Sequence, residues 1–210
     1  MDIKELFREG LDELGYIPEP GLISHFMTYL IELKKWSRVY NLTGLKKDED
    51  IVIKHFFDSL LYLKAIPSGE IKVADVGSGA GFPGIPLKII RPEIKMYLIE
   101  PSRKKSAFLR HMVRTLSLKK IEVIEKRIED VGRDQETPLS VDAAVTRALF
   151  SIKDFVKKVS QIVKEGGILI LSKGPTVKEE LKDLKNITYE ILNIRLPLSN
   201  ITRNIVKVSL

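Results

Sequence analysis

The segment Val73-Ala74-Asp75-Val76-Gly77-Ser78-Gly79-Ala80-Gly81-Phe82-Pro83-Gly84 constrains the fold more than any other part of the chain. A short apolar run carries one carboxylate near its end and passes into a loop with glycine at alternate positions. Glycine adopts positive φ without steric cost and leaves bare backbone for a ligand to approach. Between a strand and a helix, such a loop presents N–H groups to a nucleotide, as in open α/β folds. A glycine turn that binds nothing is the plain alternative.

Two nucleotides compete for this loop. Gly79 to Gly84 satisfies G-x-G-x-x-G, the dinucleotide pattern. In that setting the first glycine follows the strand directly and the third packs a regular helix on the sheet. Here the glycines begin at Gly77, and Pro83 and Pro86 interrupt the helix pattern, although Pro86 suits a first turn. Asp75 needs a partner, because a carboxylate at the end of a buried strand is costly unless hydrogen-bonded. Facing the loop, it accepts from loop N–H groups or from a cationic ligand. S-adenosylmethionine carries an ammonium and a sulfonium, whereas NAD carries a pyrophosphate, so the carboxylate suits the first and repels the second. Glu100 closes the next apolar run, Lys95 to Ile99, 25 residues after Asp75. An acidic side chain there accepts ribose hydroxyls.

The 210 residues suffice for one α/β domain with a modest addition, and 44% hydrophobic content supports a core. The absence of cysteine removes disulfides, thiolate nucleophiles and cysteine zinc sites, and with three histidines no metal site is expected. No apolar run approaches the ~20 residues of a membrane span. The start Met1-Asp2-Ile3-Lys4-Glu5 does not read as a signal peptide, so the expectation is a cytoplasmic protein without membrane association. A net charge of +7 fits a polyanion, most simply nucleic acid.

Periodicity divides the chain into a helical part, 1–66, and an alternating part, 67–210. Apolar spacing predicts helices over Asp2–Leu14, Leu22–Arg38 and Asp48–Ala65, with Gly15–Gly21 as a break. Strands are predicted at 71–76, 95–100, 120–125, 141–146 and 167–172. Helices are predicted at 85–90, 103–117, 151–164 and 176–184. Such alternation implies a parallel sheet with right-handed crossovers. Thr188 to Leu196 and Arg203 to Ser209 read as a hairpin. The sum is seven strands, mostly parallel, the last antiparallel, with an N-terminal helical cap.

Five ordered segments carry a resemblance: Trp36 with Tyr40-Asn41-Leu42-Thr43; His55-Phe56-Phe57-Asp58-Ser59-Leu60; Asp75 to Leu87; Glu100-Pro101-Ser102 with Lys104-Lys105 and Phe108-Leu109; and Thr146-Arg147-Ala148. The chain resembles class I S-adenosylmethionine-dependent methyltransferases, and within them the small-subunit ribosomal RNA methyltransferase G (glucose-inhibited division protein B) family. Pro101 and Thr146 depart slightly from that family's pattern. The resemblance implies a Rossmann-like class I methyltransferase fold, S-adenosylmethionine as cofactor, and N7 of a 16S rRNA guanine as acceptor, on rRNA or on the small subunit. A monomer is expected. Asp75, Gly77, Ser78, Gly79, Gly81, Phe82 and Glu100 are the cofactor candidates of the first two strand ends. By resemblance, Gly77 and Phe82 line the methionine and ribose part, Ile128 and Glu129 meet the adenine, and Arg147 faces the reaction centre.

The residue inventory is consistent with that acceptor. Without cysteine the usual route to pyrimidine C5 methylation is closed, and Val145-Thr146-Arg147-Ala148 lacks the Asn/Asp-Pro-Pro-aromatic motif of many amine methylases. Guanine N7 has an in-plane lone pair and no proton to lose, so alignment and exclusion of water suffice. Arg147 is a cofactor-binding and positioning candidate, able to donate to guanine O6 or to the cofactor carboxylate. Asn41, Arg103, Lys104, Arg127, Lys173 and Arg203 are the RNA-binding candidates, with Asn41 alternatively capping the next helix. His55, Asp58 and Ser59 share one helical face and are expected to pack the cap on the core. Two other functions stay open: an NAD(P)-dependent oxidoreductase using Gly79 to Gly84, and a nucleotide-sensing RNA-binding module without catalysis.

Overall fold

The computed structural model describes residues 2–133, 138–147, 149–174, 177–182 and 187–210. The chain opens with α1 (Ile3–Leu14), which buries Leu6, Phe7, Leu11 and Leu14 and stops at Gly15 in the left-handed region. Helix α2 spans Pro20–Tyr40, longer at both ends than its apolar pattern suggested. Pro20 occupies the first turn, where a missing N–H costs nothing. Asn41, at φ 50, ends α2 by donating its N–H to Ser37 O. Asn41 therefore caps the helix before it rather than the one after, a correction to the capping alternative.

The expected third helix is an unbroken but mixed segment: α3 (Asp48–Ile51), a π-helical stretch (Val52–Phe57), α4 (Asp58–Leu60) and a 3-10 turn (Leu61–Lys64). The wider π turn lets Phe56 and Phe57 both be buried while His55 stays at the rim of the core. Such local expansions accompany functional sites.

Strands β1 (Lys72–Val76), β2 (Lys95–Ile99), β3 (Ile121–Ile124), β4 (Val141–Arg147) and β5 (Val163–Lys173) are parallel, while β6 (Thr188–Arg195) and β7 (Thr202–Ser209) form the terminal hairpin. The order is β3-β2-β1-β4-β5-β7-β6, and β7 runs antiparallel to β5. The strand order reverses between β1 and β4, which opens a crevice beyond their carboxyl ends.

Helix α5 (Gly84–Ile90) follows β1, α6 (Arg103–Thr115) follows β2, and α7 (Ile128–Val131) follows β3. Helix α8 (Ile152–Val159) is capped by Ser151, whose hydroxyl accepts from Asp154 N–H. The expected helix over 151–164 is thus shorter. Val163 instead pairs with Val141, so β5 starts four residues before the predicted 167. The spacing Ile152, Phe155, Val159, Ile162, Val163 fits a helix, but the β-branched Val163 gains a sheet partner. Helix α9 covers Val177–Lys182, and the rest of the predicted 176–184 lies outside the described residues.

Alternation along the strands sends residues to two faces. Val73, Met96, Leu98, Val145 and Ile170 join one apolar cluster with α1, α2, α5, α6 and the mixed segment. Ala74, Tyr97, Ile99, Ala144 and Leu171 join a second with α7, α8 and α9. The cap therefore packs on the same face as α5 and α6, and Asp75, two residues after Val73, points toward it. Tyr62, fully buried, ties cap to sheet by donating to Thr146 O (2.6 Å) and accepting from Ser172 N–H (3.0 Å).

Candidate active site

The glycine loop is held open by its backbone. Gly77, Gly79 and Gly81 have φ of 75°, 59° and 93°, values that side chains rarely tolerate. The N–H groups of Gly77 and Ser78 both reach Ile99 O at the end of β2, at 2.8 and 3.2 Å. The buried Ser78 turns its hydroxyl inward onto Asp75 O (2.9 Å).

Asp75 is fully buried. Its Oδ2 accepts from Gly84 N–H at 2.9 Å, at the start of α5. A Cβ at residue 84 would lie 2.7 Å from that oxygen, so glycine is required for the contact. Oδ1 has no hydrogen-bond partner. Burial pushes this carboxyl up to about 7, against the opposing pull of Gly84 N–H and of Arg147. Glu100, at the end of β2, is 5% exposed; Oε2 accepts from Gly79 N–H and Oε1 from Ser102 N–H, both at 2.9 Å. Each oxygen keeps a second lone pair.

Phe82 forms the cap-side wall. Its ring stacks on Tyr29 (5.3 Å, 18°) and on His55 (4.6 Å, 27°), and the Arg147 guanidinium lies 5.0 Å from its centre. Tyr29 also donates its hydroxyl to Ala80 O, locking the cap to the loop. His55 Nδ1 lies 3.1 Å from Lys54 O and Nε2 lies 2.7 Å from Thr43 Oγ1. A carbonyl only accepts, so Nδ1 carries the proton and Nε2 accepts from the threonine. Burial, reinforced by Arg147, pushes His55 down to about 4 and keeps the ring neutral.

Beside this wall, buried Asp58 gathers two cations from distant strands. Arg203 of β7 donates Nε to Oδ1 at 2.7 Å, and Arg147 of β4 places Nη1 3.6 Å from Oδ2. These groups, with Lys54, His55, Ser172 and Lys173, line a cavity of about 370 Å³. A larger hollow of about 610 Å³ lies at the opposite end of the strands, where Lys120–Glu70 and Lys164–Asp142 are already paired.

The remaining candidates fall into two groups. Arg103 and Lys104 sit exposed in the first turn of α6, Arg127 is exposed at the start of α7, and Asn41 is exposed at the end of α2. Lys173, by contrast, is committed to Phe150 O (2.6 Å) and Glu180 (2.8 Å), which pin the 150 loop and α9. Ile128 is buried in the second cluster, and Glu129 pairs with Lys158, whose ammonium holds that carboxyl below its ordinary value. Sequence reasoning gave Asp58 a packing role and did not single out Tyr29 or Thr43 as parts of the site. The signals for Asp58 were its place in the His55–Leu60 segment and a lone carboxylate among aromatic and aliphatic core residues.

A sheet in this order with an antiparallel last strand, a glycine loop after β1 and carboxylates ending β1 and β2 defines a class I methyltransferase. Solved structures share the fold: a SAM-dependent methyltransferase from Aquifex aeolicus (TM-score 0.55, 20% identity, 81% of this chain and 97% of that one) and precorrin-6y C5,15-methyltransferase from Geobacter metallireducens (0.54, 13%, 71% and 86%). The chain belongs to the GidB family, rRNA small subunit methyltransferase G, whose pattern matches residues 22–199. It is 37% identical over 213 residues to ribosomal RNA small subunit methyltransferase G of Thermoanaerobacter sp. strain X514, covering 96% of this chain and 88% of the relative. The protein of the same name from Acetivibrio thermocellus is 34% identical over 214 residues, with 99% and 88% covered. Family membership sets aside the oxidoreductase reading. The residues fit S-adenosylmethionine: an unpartnered buried carboxylate oxygen, a glycine loop with open space at Gly79 for close approach and a second carboxylate with free lone pairs suit a cationic nucleoside. Among the described residues no helix is long and apolar enough to cross a membrane, and no acidic, His or Cys cluster is arranged for a metal.

Proposed function

We propose that this chain transfers a methyl group from S-adenosylmethionine to N7 of a guanine in 16S rRNA of the small ribosomal subunit. The observation that carries the reading is the adjacency of the Asp75 carboxylate, the glycine loop and the Arg147–Asp58–Arg203 cluster at one reversal of strand order. Asp75, Gly77, Gly79, Gly81 and Glu100 would hold the cofactor, with Ser78 supporting the loop, Phe82 walling it, and Ile128 and Glu129 near the adenine. When bound, the cofactor supplies an electrophilic methyl group. The protein's part is to hold the base in line and to exclude water. Arg147, steadied by Asp58 and by the Phe82 face, presents donors to guanine O6 and leaves N7 bare. Arg103, Lys104, Arg127, Arg203 and Asn41 contact the RNA. We also infer that the cap (1–66) and core (67–210) act as one unit, in the cytoplasm, as a monomer. The test is transfer of tritiated methyl to unmodified small subunits and to naked 16S rRNA, followed by mapping of N7-methylguanosine. Labelled product without N7-methylguanosine removes the N7 assignment, and no transfer to either substrate removes the function.

A further inference from the structure

Tyr40 and Tyr189 are the exposed Phe, Tyr or Trp side chains among the described residues, at 42% and 44%. Tyr189 lies on the edge strand β6, whereas Tyr40 lies against α6, the helix that follows Glu100. Tyr40 is the last residue of α2, and its orientation is fixed on three sides. Trp36, one turn earlier, packs against it (5.5 Å between centres). Asn41 ends the helix immediately after it. Lys104, in the first turn of α6, holds its ammonium 5.8 Å from the ring centre.

Two routes connect this ring to the chemistry. Trp36 packs on Phe108 (5.5 Å), Phe108 on Tyr29 (6.4 Å) and Tyr29 on Phe82 (5.3 Å), a ladder of rings running from the surface to the glycine loop. Along the chain, Thr43 follows Tyr40 by three residues, a reach of at most about 11 Å, and Thr43 hydrogen-bonds His55. Lys104 also lies four residues after Glu100. Tyr40 thus bridges the cap and α6 at the rim of the crevice. Exposed Arg38 and Lys46 border a hollow of about 230 Å³ with Thr43 on its wall, so cations flank the path from the ring to the site.

We propose that Tyr40 is a stacking platform for an unpaired nucleobase of the rRNA strand flanking the target guanine, with Lys104 and Arg38 on the adjoining phosphates. The inference rests on the rRNA-methyltransferase reading above. An exposed aromatic ring backed by Trp36, with the exposed Lys104 ammonium lying over it and free to swing onto a phosphate as a base stacks, is the kind of platform that holds single-stranded nucleic acid without reading its sequence. A protein partner would use the neighbouring Val39, 74% exposed, but would leave the cations without purpose.

The test compares wild type, Tyr40→Phe, Tyr40→Leu and Tyr40→Ala in methyl transfer to unmodified small subunits, alongside quenching of a 2-aminopurine base in a short protein-free RNA strand. Loss of stacking raises KM roughly 10-fold in the Leu and Ala variants, leaves kcat near wild type, and abolishes quenching. Tyr40→Phe keeps both. Calorimetry with S-adenosylhomocysteine is unchanged in every variant, which separates the platform from cofactor binding. Tyr40→Leu keeps an apolar contact with Trp36, so the comparison survives if Tyr40→Ala fails to fold. An active wild type with unchanged KM in Tyr40→Leu overturns the proposal. So does a raised subunit KM with identical quenching, which would assign the patch to a ribosomal protein. An inactive wild type that still quenches the probe would instead refute the enzymatic reading.

Discussion

Asp75→Asn isolates the cost of the buried carboxylate. In the folded protein this group titrates near 7 because burial disfavours its charge, against an ordinary value of 3.8. Between those two values the folded chain keeps the proton and the unfolded chain has lost it. Stability contributed by the neutral form is therefore complete below the unfolded value, falls as pH rises, and levels off above about 7. Three pKa units correspond to about 4 kcal/mol, of which about 3 kcal/mol is lost between pH 5 and 8. Asparagine keeps an acceptor for Gly84 N–H and puts an unpaired amide where Oδ1 stood, a cost of about 1–3 kcal/mol that does not vary with pH. Urea unfolding of both proteins at several pH values should show the variant gaining on wild type by about 3 kcal/mol from pH 5 to 8. Binding should move the other way: wild type takes S-adenosylmethionine more tightly as the carboxylate ionises, and the variant loses both the affinity and its pH dependence. A stability difference independent of pH, or tighter cofactor binding by the variant, would refute the reasoning.

Three further outcomes follow from particular contacts. Asp58→Ala leaves two guanidinium groups without their shared carboxylate; discounting for their partial exposure, it should destabilise by about 2 kcal/mol in urea unfolding and should lower methyl transfer with little change in S-adenosylhomocysteine affinity by calorimetry. Tyr62→Phe strands Thr146 O and Ser172 N–H in the core and should cost about 2 kcal/mol, read as a lower urea midpoint at constant slope. Arg103→Ala and Arg127→Ala should each reduce the slope of log affinity for 16S rRNA against log salt by about 0.7–0.9, whereas Lys173→Ala should leave it unchanged, because that ammonium is already spent on Phe150 O and Glu180.

Local signals carried most of the fold. Strand β1, the glycine loop and β2 follow from apolar runs bounded by glycine, and the terminal hairpin from two runs around Pro197 to Asn200. The misread boundaries have local causes too. Val163 obeys helical spacing yet pairs with Val141, and Pro20 looks like a breaker although it serves as a first-turn residue. What one sequence lacks is the identity of partners far apart along it. Arg147 and Arg203 are 56 residues apart in number, and only the sheet order β4-β5-β7 brings them to a common carboxylate on the cap. The same holds for Lys173, which looks like a rim cation until α9 supplies Glu180.

That pairing explains how a site rich in cations can serve the proposed reaction. Methylation at guanine N7 leaves the base positively charged, so an uncompensated cation against it would oppose the transfer. Arg147 is spread over the Phe82 face and neutralised in part by Asp58. His55 is kept uncharged by burial, with its Nδ1 proton tied to Lys54 O and its other nitrogen occupied by Thr43. Asp75 retains one buried carboxylate oxygen without a partner, on the cap-facing side of β1. The local field thus favours positive charge at the reacting position while the outer rim still attracts phosphate. His55→Lys would put a fixed charge on the Phe82 ring without filling the same shape, so His55→Gln is the control: it keeps an acceptor for Thr43 and stays neutral. Single-turnover methyl transfer should fall at least 10-fold further in His55→Lys than in His55→Gln, and equal rates in the two would mean that charge at this wall is irrelevant to transfer.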